Sequence, residues 1–241
     1  MKTTIIVIIV IGIIFILISK SSYWTNKELK IQANESYAPI EMFSIHSGNQ
    51  NELIFYIDYD QKWFNTIANK YTWDNFDQYD NRFFEYMYVL HDELPKQSNS
   101  IGNSAFMDKL TKGQKVFYSM LVFSGQVDNG GVYQFFFNNP EFSFAVLESL
   151  KELKLEKLHK DYENCLIELL GSVDQFNNRR NAFQDNKEVW KKRWKTFADG
   201  YSELPSAKVI EDYFYDEKFK KEFYKTVVNY IDNNLDQFVK K

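Results

Sequence analysis

The chain has 241 residues, a formal net charge of −4 and a single cysteine. One cysteine excludes an internal disulfide framework and a multi-cysteine zinc site, and the small negative charge disfavours nucleic acid as a partner. Aromatic residues make up 18% of the chain and only 4 Pro and 9 Gly interrupt it, which favours long helices packed around aromatic rings.

The N-terminus is apolar. Residues 5–18 carry no polar side chain, and Gly12 is their one interruption. As a helix, residues 3–19 would span about 25 Å, slightly less than a hydrocarbon core of about 30 Å. We predict that residues 1–20 form an uncleaved single-pass membrane anchor with residues 4–19 in the lipid bilayer, and a secretory signal peptide is the alternative. Lysines just after the segment favour a cytoplasmic main domain, whereas a secretory signal would place that domain outside.

The next part of the chain is predicted to be a linker and a variable region, residues 21–52, before a helical domain over residues 53–241. Residues 53–59 are rich in Ile, Phe and Tyr and fit either a strand or a buried helical turn. Residues 75–94 place aromatic and aliphatic side chains at helical spacing, and Pro95 is expected to end that helix. Further apolar stripes predict helices over residues 114–127, 140–155, 156–170, 187–198 and 216–239. The predicted fold class is therefore all-α, a multi-helix globular domain behind the N-terminal anchor.

Acidic residues are concentrated between Glu52 and Glu93. Nine carboxylates oppose three basic residues there, a net of six negative charges. Asp74, Asp77 and Asp80 fall three apart and are expected to line one side of a helix. Such a row would suit a binding surface, and it would equally suit a solvated helix start, where acids favour the positive end of the helix dipole.

An abrupt bend is predicted where Asn129-Gly130-Gly131, hereafter the glycine corner, interrupts two aromatic-rich helical runs. Glycine tolerates the positive φ that such a bend requires. Amide side chains flank the corner, and two interpretations stay open: they satisfy backbone groups at helix ends, or they form a recognition site. The candidate binding residues are Gln126, Asp128, Asn129, Gly130, Gly131, Gln134 and Asn138, together with Asp74, Asp77 and Asp80.

The run of residues 125–138, with Asn-Gly-Gly, a Gln three residues on and then a row of Phe and an Asn, resembles the signature of the DNA-mimic protein 19-like family. Weaker similarities lie upstream at residues 110–114 and near the C-terminus at 212–215, 230–231 and 237–238, so the resemblance covers roughly residues 75–240. It implies an all-helical, non-catalytic domain that acts through protein contacts. DNA mimicry itself is not carried over, because this chain lacks the strongly acidic character of the namesake.

A basic stretch follows over residues 179–195, with seven basic and two acidic residues and a net of five positive charges. Trp190 and Trp194 lie within it; we expect both rings to pack inward while the lysine amines stay in water. The alternative is a surface for anionic lipid or nucleic acid. Cys165 lies on an apolar stripe and is predicted to be a buried thiol.

The function predicted from the sequence is a membrane-tethered, non-catalytic protein-binding module, regulatory or immunity-type, with a protein partner that the sequence does not identify. The scattered histidines match no metal-ligand spacing, so we predict no metal, no cofactor and no catalytic residue. Two alternatives remain: a hydrolase-like enzyme with a carboxylate and amide site beside the glycine corner, and a binder of anionic lipid or nucleic acid through a basic helix over residues 179–195.

Overall fold

The computed structural model describes residues 42–58, 60–91, 104–185 and 190–240. The predicted anchor, residues 1–20, and most of the predicted linker lie outside the described residues. The described part is mostly helical, which confirms the all-α fold class. Within that part, no helix is long and apolar enough to cross a membrane.

Ten α-helices follow one another along the described chain. They are α1 (Gln61–Lys70), α2 (Arg82–Tyr86), α3 (Ser104–Met107), α4 (Lys112–Asn138), α5 (Ser143–Glu152), α6 (Glu156–Gly171), α7 (Val173–Asp185), α8 (Trp190–Tyr201), α9 (Ala207–Tyr215) and α10 (Glu217–Asn233). A π-helical turn, Met87–His91, extends α2, and 3-10 turns occupy Trp73–Asn75, Pro140–Phe142 and Leu235–Gln237. Two short strands, β1 (Ile57–Asp58) and β2 (Val239–Lys240), pair in parallel.

Helix α4 is the centre of the domain, in contact with α5, α9 and α10. It begins with a capping box, in which Thr111 accepts from the backbone N–H of Gln114 and the Gln114 side chain accepts from the backbone N–H of Thr111. Phe123, before the glycine corner, packs edge to face on Phe135, after it, with ring centroids 5.2 Å apart. Tyr162 of α6 meets the same Phe123 ring at 5.4 Å. The bend in α4 therefore folds the helix onto a shared aromatic core.

Residues 42–52, which the sequence assigns to the linker and variable region, pack against the helical domain. Phe43 and Ile45 are buried in the core. The ammonium of Lys115, itself fully buried, donates to the carbonyl oxygens of Ser47 and Asn49 at 2.5 Å each. Burial lowers the pKa of Lys115. Residues 47–49, which resemble a linker in sequence, are thus bound by the buried ammonium of Lys115.

Strands β1 and β2 meet beside the start of α4, where the Gln114 side chain donates to the Phe55 carbonyl oxygen at 2.7 Å. Of the residues predicted as a strand or helical turn, the described ones, 53–58, contain the two-residue strand β1. The predicted last helix ends at Asn233, and a 3-10 turn and strand β2 follow it. Gln237 closes this junction: its side-chain oxygen accepts from the Gly113 N–H at 2.6 Å, and its carbonyl oxygen accepts from the Thr111 hydroxyl at 2.8 Å.

The helix predicted over residues 75–94 begins later, at Arg82. Asn81 caps it, accepting from the Phe83 N–H at 2.9 Å. Upstream, the Asp77 carboxylate accepts from the N–H groups of Tyr79 and Asp80, so the chain turns here instead of entering a helix. The prediction that Asp74, Asp77 and Asp80 line one side of a helix is therefore wrong.

Candidate functional site

The glycine corner is a sharp kink inside α4. Gly130 has φ −169° and ψ 24°, and Gly131 has φ 83° and ψ 178°. The positive φ of Gly131 is a conformation that side chains disfavour. A Cβ atom there would also lie 1.7 Å from the Tyr201 hydroxyl oxygen and 2.3 Å from Glu211 Oε1. Both the backbone angle and the close neighbours require glycine, so the predicted role of the corner as an abrupt bend is confirmed.

Two side chains from distant helices bind the backbone groups that the kink leaves without helical partners. The Val132 N–H donates to Glu211 Oε1 at 2.9 Å, and the Tyr201 hydroxyl donates to the Gly130 carbonyl oxygen. The Tyr201 oxygen also lies 3.3 Å from Glu211 Oε1. Burial and the charge of Glu211 raise the pKa of Tyr201, so its proton stays available for the bond. Tyr201 of α8 and Glu211 of α9 thereby hold the bent helix in place.

The amide side chains around the corner bond to one another. Gln126 Oε1 accepts from Gln134 Nε2 at 2.9 Å and from Asn138 Nδ2 at 3.0 Å. This cluster bridges the two halves of α4 across the kink, a role that neither sequence interpretation anticipated. Asn129, at the outer edge of the corner, is exposed.

Asp128 joins the corner to α10 through a largely buried ion pair. Its carboxylate lies 2.8 Å from Nζ of Lys220, whose side chain is buried. The Tyr224 hydroxyl donates to the same carboxylate at 3.3 Å. Burial, and secondarily the negative charge of Asp128, raises the pKa of Tyr224. The three groups form a polar cluster whose charges compensate each other away from water.

Residues 74–80, hereafter the acidic segment, lie against this cluster. The Tyr79 ring stands 5.7 Å from Nζ of Lys220, and Phe83, just downstream, stacks on Tyr224 with ring centroids 4.4 Å apart. Tyr79 is 67% exposed, and the three aspartates of the segment are exposed around it. The structure therefore brings together the two groups of candidate residues, through α10.

Sequence reasoning missed four residues that organise this region: Tyr79, Tyr201, Glu211 and Lys220. Lys220 alone carried a signal, because it lies next to the apolar stripe of its helix between Phe219 and Phe223. The positions of Tyr201 and Glu211 depend on contacts over 71 and 79 residues of chain. No local pattern could have revealed them.

The described residues divide the predicted basic helix over residues 179–195 between two helices, α7 up to Asp185 and α8 from Trp190, and these two helices pack against each other. Two arginines of the predicted helix bond to other parts of the domain. Arg179 forms a forked ion pair with Glu203, and Arg180 donates to the Phe137 carbonyl oxygen at 2.8 Å, near the end of α4. Trp194 is 55% exposed, contrary to the expectation that it packs inward.

Cys165 is buried as predicted, and burial raises the pKa of its thiol to about 12. Such a thiol is a poor nucleophile near neutral pH because almost none of it is ionised. Among the residues that the structure describes, no three His, Cys, Asp or Glu side chains are grouped so that they could hold a metal ion.

Comparison with known proteins gives one match. The sequence model of a family described as DMP19-like protein matches residues 108–234, more than half of the chain. This range contains the glycine corner, Tyr201, Glu211 and the Asp128–Lys220 pair, and the acidic segment falls outside it. No curated protein and no solved structure matches.

Proposed function

The chain belongs to the DMP19-like protein family, and from that premise we propose that it is a membrane-tethered, non-catalytic module that binds a protein partner through the acidic segment. The glycine corner then serves as the scaffold behind that surface. A regulatory or immunity-type role suits such a module.

The observation that carries the proposal is the placement of Tyr79. Its ring is 67% exposed among exposed carboxylates, while its neighbours Phe76 and Phe83 pack on Tyr224 of the core. Tyrosine is enriched in protein interfaces because it offers a large contact area with few rotatable bonds. The Asp77 turn and this ring packing order the segment before a partner arrives, which lowers the entropic cost of binding.

Charge defines the kind of partner. Residues 52–93 carry six net negative charges, so the complementary surface is basic, with Lys or Arg beside an apolar contact for Tyr79. Electrostatic attraction of this kind accelerates association and weakens as salt rises, because exposed charges are screened within about 10 Å at 0.1 M salt.

Residues 4–19 are proposed to be the membrane-spanning segment, with the domain on the cytoplasmic side as the lysines after the segment favour. Protease accessibility of intact cells, followed by N-terminal sequencing of the recovered chain, tests both points. Protection of the domain in intact cells and a retained Met1 are the expected results; cleavage near Ser21 or digestion from outside would contradict them.

The test of the binding proposal compares charge removal at two places on the full chain. Asn replaces Asp74, Asp77 and Asp80 in one variant, which keeps the oxygen that accepts the turn hydrogen bonds. The control removes the same charge elsewhere, with Glu156→Gln, Asp174→Asn and Asp236→Asn at exposed sites. Crosslinked partners are recovered from membranes and quantified.

We expect the first variant to lose at least about tenfold in partner recovery, and the control variant to match wild type. Equal recovery by both variants would contradict the proposal. If recovery is unchanged while hydrolysis of some substrate is lost, the enzyme alternative gains the support instead.

A further inference from the structure

One face of helix α8 does not contact the glycine corner. Lys191, Trp194 and Lys195 stand three and four residues apart, and all three are exposed. Side chains at this spacing are neighbours on a helix surface. We call these three residues the basic face.

The opposite side of α8 is fixed to the core, so the direction of the basic face is fixed as well. Phe197 is buried, and Gly200 lies so close to Tyr133 that a Cβ atom there would be 1.9 Å from the Tyr133 hydroxyl oxygen. Tyr201 reaches the glycine corner. The Trp194 ring rests on Phe197 with centroids 5.6 Å apart and leaves 55% of the residue in solvent.

The net charge of α8 is opposite in sign to the net charge of the whole chain. Its sequence holds four basic residues and one acid, a net of three positive charges, whereas the whole chain has a net charge of −4. The acid, Asp199, pairs with Lys195 at 2.8 Å, and both remain largely exposed. The helix therefore places basic groups around a partly exposed indole.

We propose that the basic face rests on the anionic headgroup layer of a membrane. Lysine amines attract anionic headgroups, and an indole prefers the boundary between headgroups and acyl chains. The inference rests on the proposed anchor in one respect: 22 residues separate Ser19 from Met42, so even a fully extended connection holds the domain within about 80 Å of the bilayer. Such tethering raises the effective concentration of the face at the lipid surface.

The test uses the full-length chain in vesicles of neutral phosphatidylcholine, or of the same lipid with about one third phosphatidylglycerol, each with brominated acyl chains that quench nearby tryptophan. The fluorescence of Trp194 is obtained as the tryptophan fluorescence of wild type minus that of the Trp194→Phe variant. One charge variant is Lys191→Gln with Lys195→Gln. Its control is Lys160→Gln with Lys208→Gln, in which Lys208 has the same type of i,i+4 partner, Asp212, as Lys195 has in Asp199.

We expect quenching of Trp194 to be at least about threefold stronger on anionic than on neutral vesicles, with the charge variant reduced to the neutral value and the control unchanged. Equal quenching on both vesicles would overturn the proposal. Tight binding of a single-stranded RNA, abolished by Lys191→Gln with Lys195→Gln and accompanied by no anionic-lipid effect, would overturn it in favour of a nucleic-acid surface.

Flotation with neutral vesicles distinguishes a failure of the proposed anchor from a failure of the proposed lipid contact of the basic face. A chain that fails to float has no anchor, and the basic face is then tested by its binding to anionic vesicles added from outside. We expect the charge variant to weaken that binding about 10- to 30-fold; an unchanged affinity would overturn the proposal.

Discussion

The glycine corner and the acidic segment are neighbours through α10, yet they are built in opposite ways. At the corner, the backbone groups released by the kink bind Tyr201 and Glu211, and the flanking amides bind one another. In the acidic segment, Tyr79 and the carboxylates face solvent. The corner lies inside the residues matched by the family, and the segment lies outside them.

The part of the chain that carries a recognisable sequence pattern is therefore a different part from the one that we propose binds a partner. A kink in a central helix needs glycine and partners at fixed positions, so it leaves a distinctive sequence pattern. An exposed binding surface needs only charge and shape, which leave a weak pattern. The corner lies in the part of the chain that the family model matches, while we look for the partner at the segment beside it.

The largest expected effect is that of Gly131→Ala. The new Cβ would meet the Tyr201 oxygen at 1.7 Å in a backbone conformation with φ 83°. We expect the free energy of unfolding to fall by roughly 3 kcal/mol or more, measured by urea denaturation.

Gly125→Ala is the matched control for that substitution. Gly125 lies in the same helix, is exposed, and has no neighbour within 4 Å of a new Cβ. A gain of about 0.5–1 kcal/mol is expected there, since alanine favours the helix. Equal effects of the two substitutions would mean that the corner is not held as described.

Next in size is the loss of the ion pair between Lys220 and Asp128. Lys220→Met leaves the Asp128 carboxylate without its partner beside the core, and we expect a loss of roughly 2–4 kcal/mol in the free energy of unfolding. Lys208→Met breaks an exposed pair with Asp212 and should leave the unfolding midpoint unchanged. An equally small effect at Lys220 would show that the junction between corner and segment contributes no stability.

Alkaline pH should destabilise the region around the corner by a smaller amount. Burial raises the pKa of Tyr133 to about 12 and also raises the pKa of Tyr224. The unfolded chain loses these protons from about pH 10, so stability is complete below pH 10 and falls as pH rises through the folded pKa. The pKa of Lys115 is lowered, so its contribution to the free energy of unfolding rises with pH up to the unfolded pKa of 10.5, opposite to the effect of the tyrosines.

Urea midpoints at pH 9, 10 and 11 measure this dependence. We expect Tyr133→Phe to remove up to about 1.4 kcal/mol of the alkaline loss at pH 11, which lies one unit above the unfolded pKa of tyrosine. A profile that is flat to pH 11 would show that the corner tyrosines ionise as readily folded as unfolded.

Tyr201→Phe is expected to have the smallest effect on stability. It removes the hydroxyl that donates to the Gly130 carbonyl oxygen, at a cost of about 1–2 kcal/mol. Tyr215→Phe alters a hydroxyl on a residue that is 69% exposed and should leave the midpoint unchanged. If both substitutions were neutral, the carbonyl would have to be satisfied in another way.

Local chemistry explains which parts of the structure the sequence predicts. The aromatic periodicity of α4, α6 and α10 gives the all-α class, and two adjacent glycines after an Asn give the bend, because helix spacing and positive φ are properties of a few neighbouring residues. Cys165 is likewise placed by the apolar stripe around it.

Long-range contacts and local competition explain the failures. Ring spacing from Phe76 to Phe84 resembles a helix, but the Asp77 turn and the Asn81 cap delay its start to Arg82. Residues 42–52 are polar enough to resemble a linker, but Phe43 and Ile45 are buried in the core and the Lys115 ammonium bonds to the Ser47 carbonyl oxygen. The partners of the corner come from α8 and α9, which no local pattern connects to it.

Partner recovery by the Asp74, Asp77 and Asp80→Asn variant, at a temperature where its folded fraction equals that of wild type, tests the division between scaffold and binding surface most directly. We expect recovery to fall at least about tenfold while the unfolding midpoint stays the same. Undiminished recovery by this folded variant would contradict the assignment of binding to the acidic segment.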